Sequence, residues 1–134
     1  MHLEHQIADF MDGGTFAVVG ASTDRRKYGN KVLRLYLQHG HAVVPVNPNA
    51  DFVEGLESYA SLSEIPETPH AISIITPPHV TDEIVDNAIQ LGIQHIWMQP
   101  GAESSNAVAR CLESDINLIH GGPCILVVLG YSEP

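Results

Sequence analysis

The 134 residues are enough for one domain and leave no room for a second, catalytic one, so we expect a single domain over residues 1–134. Hydrophobic residues make up 44% of the chain and charged residues 16%, with a mean hydropathy of +0.03, which is typical of a water-soluble folded protein. The formal net charge of -10 argues against a nucleic-acid partner, and no apolar run reaches the ~18 residues that suggest a membrane span. Because the N-terminus also lacks a secretory pattern, we expect a cytoplasmic protein.

The first half of the chain contains two predicted helices and two predicted strands. Within residues 1–13 we predict an opening helix from Leu3 to Met11, and a short buried strand then runs from 15 to 20. A helix follows over 29–38, with an apolar face and with Lys31 and Arg34 expected outside that face. The second strand, 41–46, contains Pro45, which suits an edge strand or a bulge because proline lacks a ladder donor.

The second half continues the alternation of strands and helices. We predict a short crossover helix within 54–65, a buried strand over 71–75 and a helix over 80–91 that begins with Thr81 and the acidic pair Asp82-Glu83. A strand over 94–98, a helix over 104–113, a strand over 116–120 and an apolar segment over 123–129 complete the chain. This order predicts an α/β, Rossmann-like, three-layer doubly wound fold, with a mostly parallel five-stranded sheet and helices on both faces.

An unusual turn follows each predicted strand. The turns are Gly20-Ala21-Ser22, Asn47-Pro48, Thr76-Pro77-Pro78, Gln99-Pro100-Gly101 and Gly121-Gly122-Pro123. Ligands of open α/β sheets bind outside the carboxyl ends of the strands, where the strand order reverses. The turns therefore outline one candidate site.

The turn after the first strand is typical of a phosphate site. Gly20 allows the backbone to approach a phosphate, and Ser22 and Thr23 add hydroxyl donors before the next helix. Five of the six Lys and Arg residues lie within 25–34, and Arg25, Arg26 and Lys27 come where that helix begins. The alternative, that Gly20 only turns the chain and the cations are a solvated helix face, stays open.

Two common nucleotide signatures are absent from the sequence. A nicotinamide or flavin site is expected to show G-x-G-x-x-G and an acidic residue after the second strand, whereas this chain has Gly20, then Gly29, and Asn47-Pro48. No G-x-x-x-x-G-K-[ST] run exists, which excludes a P-loop. The sequence therefore favours a phosphate-rich ligand and weighs against a dehydrogenase and against ATP hydrolysis.

Several segments together resemble the small, stand-alone CoA-binding proteins, whose domain is similar to the N-terminal domain of the succinyl-CoA synthetase alpha subunit. The resemblance covers roughly residues 15 to 130. Its segments are Val18-Val19-Gly20-Ala21-Ser22, Lys27-Tyr28-Gly29-Asn30-Lys31-Val32, Val46-Asn47-Pro48, Thr76-Pro77-Pro78, Gln99-Pro100-Gly101-Ala102 and Gly122-Pro123-Cys124.

The resemblance implies a site for coenzyme A or an acyl-CoA, and it implies a role for each segment. Gly20-Ala21-Ser22 and the basic segment up to Lys27 would face the phosphates, and Asn47-Pro48 would border the nucleotide. Thr76-Pro77-Pro78 would lie along the adenine or pantetheine, and Gln99-Pro100-Gly101 along the thiol end. The expected ligand-binding residues are Gly20, Ala21, Ser22, Arg26, Lys27, Tyr28, Gly29, Asn47, Pro48, Thr76, Pro77, Pro78, Gln99, Pro100 and Gly101.

Catalytic and metal-binding residues do not stand out. The eight histidines show no metal-ligand spacing, although His79 and His120 lie near the strand ends. Cys111 and Cys124 are expected as thiols, and Cys124 is a candidate for disulfide exchange with the CoA thiol. We therefore expect non-enzymatic binding of CoA, with a small-molecule ligand and a possible homo-oligomer or protein partner. An enzyme acting on a nucleotide-linked or acyl-CoA substrate, and an NAD(P)-binding regulatory or interaction module, are the alternatives.

Overall fold

The structure is a computed structural model, which describes residues 2–133; Met1 and Pro134, at the ends of the predicted domain, lie outside these described residues. Helices and strands alternate along most of the chain. In chain order they are α1 (Leu3–Met11), β1 (Thr15–Val19), α2 (Tyr28–Gln38), β2 (Ala42–Val46), β3 (Phe52–Val53), β4 (Leu56–Glu57), β5 (Ala71–Ile74), α3 (Pro78–Gln90), β6 (His95–Met98), α4 (Ser105–Glu113), β7 (Asn117–Ile119) and α5 (Ile125–Leu129).

Five of the strands form one parallel sheet in the order β2-β1-β5-β6-β7. The chain moves outward from β1 to β2 and then returns to the other side of β1 to form β5. The strand order therefore reverses between β1 and β5, which is the position where open α/β sheets bind ligands.

Helices cover both faces of this sheet. Successive strand residues point to opposite faces. Ala17 and Val19 belong to the core that packs beneath α3 and α4, whereas Phe16 and Val18 belong to the core beneath α1, α2 and α5. The predicted three-layer, Rossmann-like α/β fold is confirmed.

Strand β2 lies at an edge of the five-stranded sheet, which is one of the two positions that suit Pro45. The carbonyl of Pro45 accepts a hydrogen bond from the Tyr59 N–H at 3.2 Å, on the side away from β1. The ring nitrogen of Pro45 faces that same side, so the missing donor does not interrupt the β1–β2 ladder.

The crossover helix predicted within 54–65 is wrong. This region contains the end of an antiparallel hairpin, β3–β4, and one turn of 3-10 helix over Leu62–Glu64. Glu54 and Gly55, between the two short strands, have φ values of 50° and 78°, which match a tight hairpin turn and are incompatible with an α-helix.

Two further predictions about helices need correction. Helix α3 begins at Pro78, so Thr81 lies inside the helix and is buried, and no acidic residue occupies the first turn. Arg34, expected outside the apolar face of α2, is buried because Tyr131 and Glu133, near the end of the chain, pack against it. The unassigned apolar segment over 123–129 contains the short helix α5. Within residues 2–133, no helix is long and apolar enough to cross a membrane.

Candidate functional site

A cleft of about 800 Å³ opens at the carboxyl ends of β1, β2 and β5, where the strand order reverses. Ten of the expected ligand-binding residues line this cleft, namely Gly20, Ala21, Ser22, Lys27, Tyr28, Gly29, Asn47, Pro48, Thr76 and Pro77. The five-stranded sheet thus brings together segments that are up to 57 positions apart in the chain, counting from Gly20 to Pro77.

The floor of the cleft depends on two glycines. Gly20 has a φ of +97°, and a Cβ at this position would overlap the backbone carbonyl of Ile75 at the end of β5. A Cβ on Gly29 would overlap the carbonyl oxygen of Gly20. Both positions therefore require glycine, because the backbones of α2 and of the end of β5 pack directly against the first turn.

Two helices begin at the cleft without a side-chain cap. The N-terminal boundary of α2 is Lys27 and that of α3 is Pro77, and neither side chain accepts a hydrogen bond from its helix. Helix α4, which begins away from the cleft, is capped by the Ser104 Oγ atom, which accepts from the Ala107 N–H at 3.1 Å. The uncapped first turn of α2 leaves backbone N–H groups available to an anion beside Gly20.

Most of the basic segment is already paired with carboxylates. Arg26 Nη2 lies 3.1 Å from Asp24 Oδ2, and Arg25 Nε lies 3.4 Å from Glu54 Oε2. Hydrogen bonds from Arg26 lower the pKa of Asp24 to about 2, so this partner stays ionised at neutral pH.

Lys31 and Arg34 are paired in the same way, at 3.4 and 3.1 Å from the carboxylate of Glu133. Lys27 lines the cleft and has no acidic partner within the described part of the chain. Among the residues that the structure describes, a single unpaired cation therefore lies at the cleft, where the sequence predicted the joint action of Arg25, Arg26 and Lys27.

The end of β2 forms one wall of the cleft. Asn47 donates from Nδ2 to the carbonyl of Ala21 at 2.8 Å and accepts from the Asn49 N–H at 2.8 Å. These bonds fix the first turn to the second strand. They also occupy the side chain of Asn47, which stands where a dinucleotide site would carry a ribose-binding carboxylate.

Helix α3 forms the opposite wall, which the sequence analysis missed except at its start. Val80, Glu83, Ile84 and Asn87 line the cleft, together with Asn49, Ala60 and Ser61 from the β2 side. Positions 80, 83, 84 and 87 follow the spacing of one helical face. This helical face starts just after the Thr76-Pro77 turn, which was predicted to bind the ligand. The helical spacing of residues directly after that turn is the signal in the sequence that could have identified this wall.

Five expected ligand-binding residues do not line the cleft. Arg26, Pro78, Pro100 and Gly101 are exposed outside it, whereas Gln99 is fully buried. Gln99 Oε1 accepts from the Tyr28 hydroxyl at 3.1 Å and from the Ile125 N–H at 3.0 Å. Gln99 therefore lies directly behind the Tyr28 wall of the cleft.

Cys124 also lies behind Tyr28, with its Sγ atom in contact with the Tyr28 hydroxyl. Burial and this contact raise the pKa of Tyr28, which keeps the hydroxyl protonated at neutral pH. His79 and His120 are exposed, and neither lines the cleft. Over residues 2–133, no group of three or more His, Cys, Asp or Glu side chains is arranged to hold a metal ion.

Known proteins resemble both the sequence and the fold. The chain is 34% identical over 80 residues to acetate–CoA ligase [ADP-forming] II of Archaeoglobus fulgidus, and 33% identical over 79 residues to the alpha subunit of acetate–CoA ligase [ADP-forming] II of Pyrococcus furiosus. Each similarity covers 58% of this chain, and it spans only 12% and 17% of those relatives.

A relative of similar size also has a solved structure. It is a conserved hypothetical protein of Pyrococcus furiosus, which is 37% identical to this chain and superimposes with a TM-score of 0.80 over 87% of this chain and 99% of its own. The sequence model of the CoA binding domain matches residues 14–130 and so includes every strand of the sheet. The chain therefore belongs to the CoA binding domain family.

Proposed function

We propose that this protein binds coenzyme A or an acyl-CoA in the cleft between β1, β2 and β5, without itself transforming the ligand. The observation that carries the proposal is the convergence of the Gly20 turn, the uncapped start of α2 and the unpaired Lys27 on one wall. Open N–H groups at a helix start and a lysine ammonium are the donors that phosphate oxygens accept from. The pyrophosphate of CoA is therefore assigned to this wall.

The size and lining of the cleft suit the rest of CoA. Ligand sites usually enclose about 300–1,000 Å³ and combine apolar walls with a few polar groups. The cleft, at about 800 Å³, has apolar side chains from Val80 and Ile84 on one wall and the rigid ring of Pro48 on the other. These surfaces support packing of an adenine ring and of the pantetheine arm.

CoA is a better match than a nicotinamide dinucleotide. The end of β2 carries Asn47-Pro48, and both polar ends of Asn47 are used within the protein. A dinucleotide therefore finds no carboxylate at the end of β2 for its ribose diol. The ligase activity named for the two relatives is not included in the proposal, since this chain spans 12% and 17% of their lengths.

Calorimetric titration with CoA, AMP and NADH tests the proposal. We expect CoA to bind more tightly than either of the other two. Lys27→Met should weaken CoA roughly tenfold, because it removes one charge-assisted contact to phosphate. Lys31→Met is the matched control, since Lys31 is paired with Glu133 and does not line the cleft. Binding of NADH in preference to CoA would show that the ligand is assigned wrongly.

A further inference from the structure

Arg34, in the middle of α2, is buried although it carries a charge and does not line the cleft. Its exposed fraction is 7%, and no other Lys, Arg, Asp or Glu among residues 2–133 is buried. A guanidinium stays charged at every pH that a protein experiences, so its burial is costly unless its donors find acceptors. The partners of Arg34 therefore indicate what this buried charge does.

The guanidinium of Arg34 donates in three directions. Its Nε donates to Asn30 Oδ1 at 2.7 Å, one helical turn back along α2, and its Nη2 donates to the backbone carbonyl of Arg25 at 2.7 Å. Its Nη1 donates to Glu133 Oε2 at 3.1 Å, and the Tyr131 ring centre lies 5.6 Å from the guanidinium carbon. Because the group is planar and each of its nitrogens has an acceptor, Arg34 has a fixed orientation.

Arg34 also determines how the side-chain amide of Asn30 is turned. The Asn30 atom that faces Nε must be the oxygen, because an arginine N–H can only donate. The Nδ2 group of Asn30 then donates to the Ser22 carbonyl at 2.8 Å and to Glu54 Oε2 at 3.0 Å. Asn30 is 0% exposed, so without Arg34 its oxygen would lose its donor in the interior. Arg34 thus acts on Ser22 through Asn30.

These contacts hold residues 22–27, which precede α2 and which we call the 22–27 loop. The two ends of this loop, Ser22 and Lys27, line the cleft. Hydrogen bonds and ion pairs from residues 22–26 to described residues outside the loop involve three side chains, which are those of Asn30, Arg34 and Glu54. Since Arg34 is one of these partners and orients another, it provides most of the anchoring of the loop.

We propose that Arg34 is a positioning residue of the CoA cleft, which holds the 22–27 loop in its binding conformation without touching the ligand. This inference rests on the proposed function, in which Lys27 and the start of α2 bind the pyrophosphate. A loop that is fixed before the ligand arrives does not have to be ordered during binding, so the affinity is higher. Without Arg34, Ser22 and Lys27 would have to be brought back to the cleft by the ligand itself.

The first test compares dissociation constants for CoA in Arg34→Met and Lys31→Met. Arg34→Met should bind CoA roughly tenfold more weakly, because ordering even one backbone residue on binding costs about that factor. Lys31→Met is the matched control, since it removes a cation from the same Glu133 carboxylate, while the Lys31 side chain makes no hydrogen bond to the described loop. Lys31→Met should stay close to the wild type.

A double-mutant cycle with Lys27→Met separates positioning from a loss of charge or of stability. If Arg34 holds Lys27 in place, Lys27→Met should weaken CoA roughly tenfold in the wild-type background and threefold or less in Arg34→Met. Two independent effects would multiply instead. Arg34→Lys keeps the charge but lacks the planar group that reaches Asn30 and Arg25 together, so it should restore little of the affinity.

Hydrogen exchange measures the loop directly in the protein without ligand. The amide of Asp24 donates to Ser22 Oγ at 3.0 Å and that of Lys27 to the Asp24 carbonyl at 3.0 Å, so both are protected while the loop keeps this shape. Peptides that cover 22–27 should exchange faster in Arg34→Met and slow down again when CoA saturates the variant. Peptides from β6 serve as the reference and should not change.

The outcomes separate this inference from the proposed function. Folded Arg34→Met that binds CoA as the wild type does, or whose loop exchanges at the wild-type rate, overturns the inference and leaves the function standing. The same conclusion follows if Lys31→Met loses as much affinity, or if the effects of Arg34→Met and Lys27→Met multiply. Failure of the wild type to bind CoA overturns both. If Arg34→Met does not fold, Arg34→Lys decides, and wild-type affinity of that variant overturns the inference.

Discussion

Gly20 and Gly29 show how single residues shape the candidate site. The sequence left open whether Gly20 has a ligand-related role or only turns the chain. Its φ of +97° and its close approach to the Ile75 carbonyl show that the turn itself requires glycine, whatever the ligand. Because glycine has no side chain, the first turn also keeps its backbone open to the cleft. A glycine that the turn requires and a glycine that serves ligand binding are therefore compatible explanations.

Gly29→Ala is expected to destabilise the protein by roughly 1–3 kcal/mol, because the new Cβ overlaps the Gly20 carbonyl in a well-packed region. This is the reverse of the usual effect, since alanine normally stabilises a helix relative to glycine. Gly14→Ala is the control, since a Cβ there contacts nothing within 4 Å. Urea unfolding of both variants measures the difference, and equal stability of the two would contradict the packing argument.

The two cysteines are expected to react very differently with thiol reagents. Cys111 is 0% exposed, and burial raises its pKa to about 11, whereas Cys124 is half-buried beside the cleft. Native protein treated with oxidised CoA should therefore carry any mixed disulfide at Cys124, with Cys111 modified only after unfolding. Mass spectrometry of peptides locates the adduct. Modification of Cys111 in the native protein would show that α4 opens more readily than its burial indicates.

At the scale of elements, α1 is held on the end of the sheet opposite the cleft by polar contacts. Asn117 Nδ2 donates to the Gln6 carbonyl at 2.9 Å and faces His95 Nδ1 at 3.1 Å. His95 Nδ1 must therefore be the acceptor, which keeps this ring neutral. The His70 ring lies 4.5 Å from the His95 ring, and its Nε2 faces the Phe10 carbonyl of α1.

Protonation of His95 is expected to weaken this attachment. Burial, and then the nearby His70, lower the pKa of His95 below the ordinary value of 6.5, while Asp9 opposes the shift. The unfolded chain therefore binds the proton more readily, and the free energy of unfolding should fall as the pH drops below about 6.5. His95→Gln keeps an acceptor for Asn117 without titrating, so part of this loss should disappear.

Urea unfolding at pH 7.5 and 5.5 measures the effect of His95. The exposed His120, changed to Gln, is the control and should keep the wild-type pH dependence. If His95→Gln loses as much stability between pH 7.5 and pH 5.5 as the wild type does, the pH dependence comes from other groups.

At the scale of the whole molecule, the strand order creates the candidate site. Because β1 lies between β2 and β5, the connections after β1 and β5 leave the sheet in different directions and open a cleft between them. Although the net charge is -10, the described lining of the cleft includes Lys27, which has no carboxylate partner and is available to an anionic ligand. Local geometry, and not total charge, determines which ligand fits.

Binding of CoA across these connected elements should stabilise the whole fold. Because only the folded protein binds the ligand, the free energy of unfolding rises by about 2.7 kcal/mol when the free ligand is at 100 times its Kd. Thermal unfolding should therefore shift to higher temperature as CoA is added, with Lys27→Met requiring a higher concentration for the same shift. A melting temperature that does not change with CoA would contradict the proposed function.

Most elements were predictable because their signals are local. Buried strands such as 71–75 have continuous apolar residues, and helices such as α4 have clear periodicity and a capping serine. The β3–β4 hairpin was missed because its strands have two residues each and its turn places Glu54 at a positive φ, which no local preference indicates.

The sequence by itself determined the α/β class, the glycine turn and the strand-end segments, because hydrophobic periodicity and turn residues act over a few positions. Only the tertiary structure decided which cations are free, which side chains reach the cleft and that Gln99 is buried behind Tyr28. These facts depend on distant contacts such as those of Arg25 with Glu54, of Arg34 with Glu133 and of Gln99 with Ile125, which form only when the chain folds. Pairing and burial are properties of the folded arrangement, so residue type and spacing alone do not specify them.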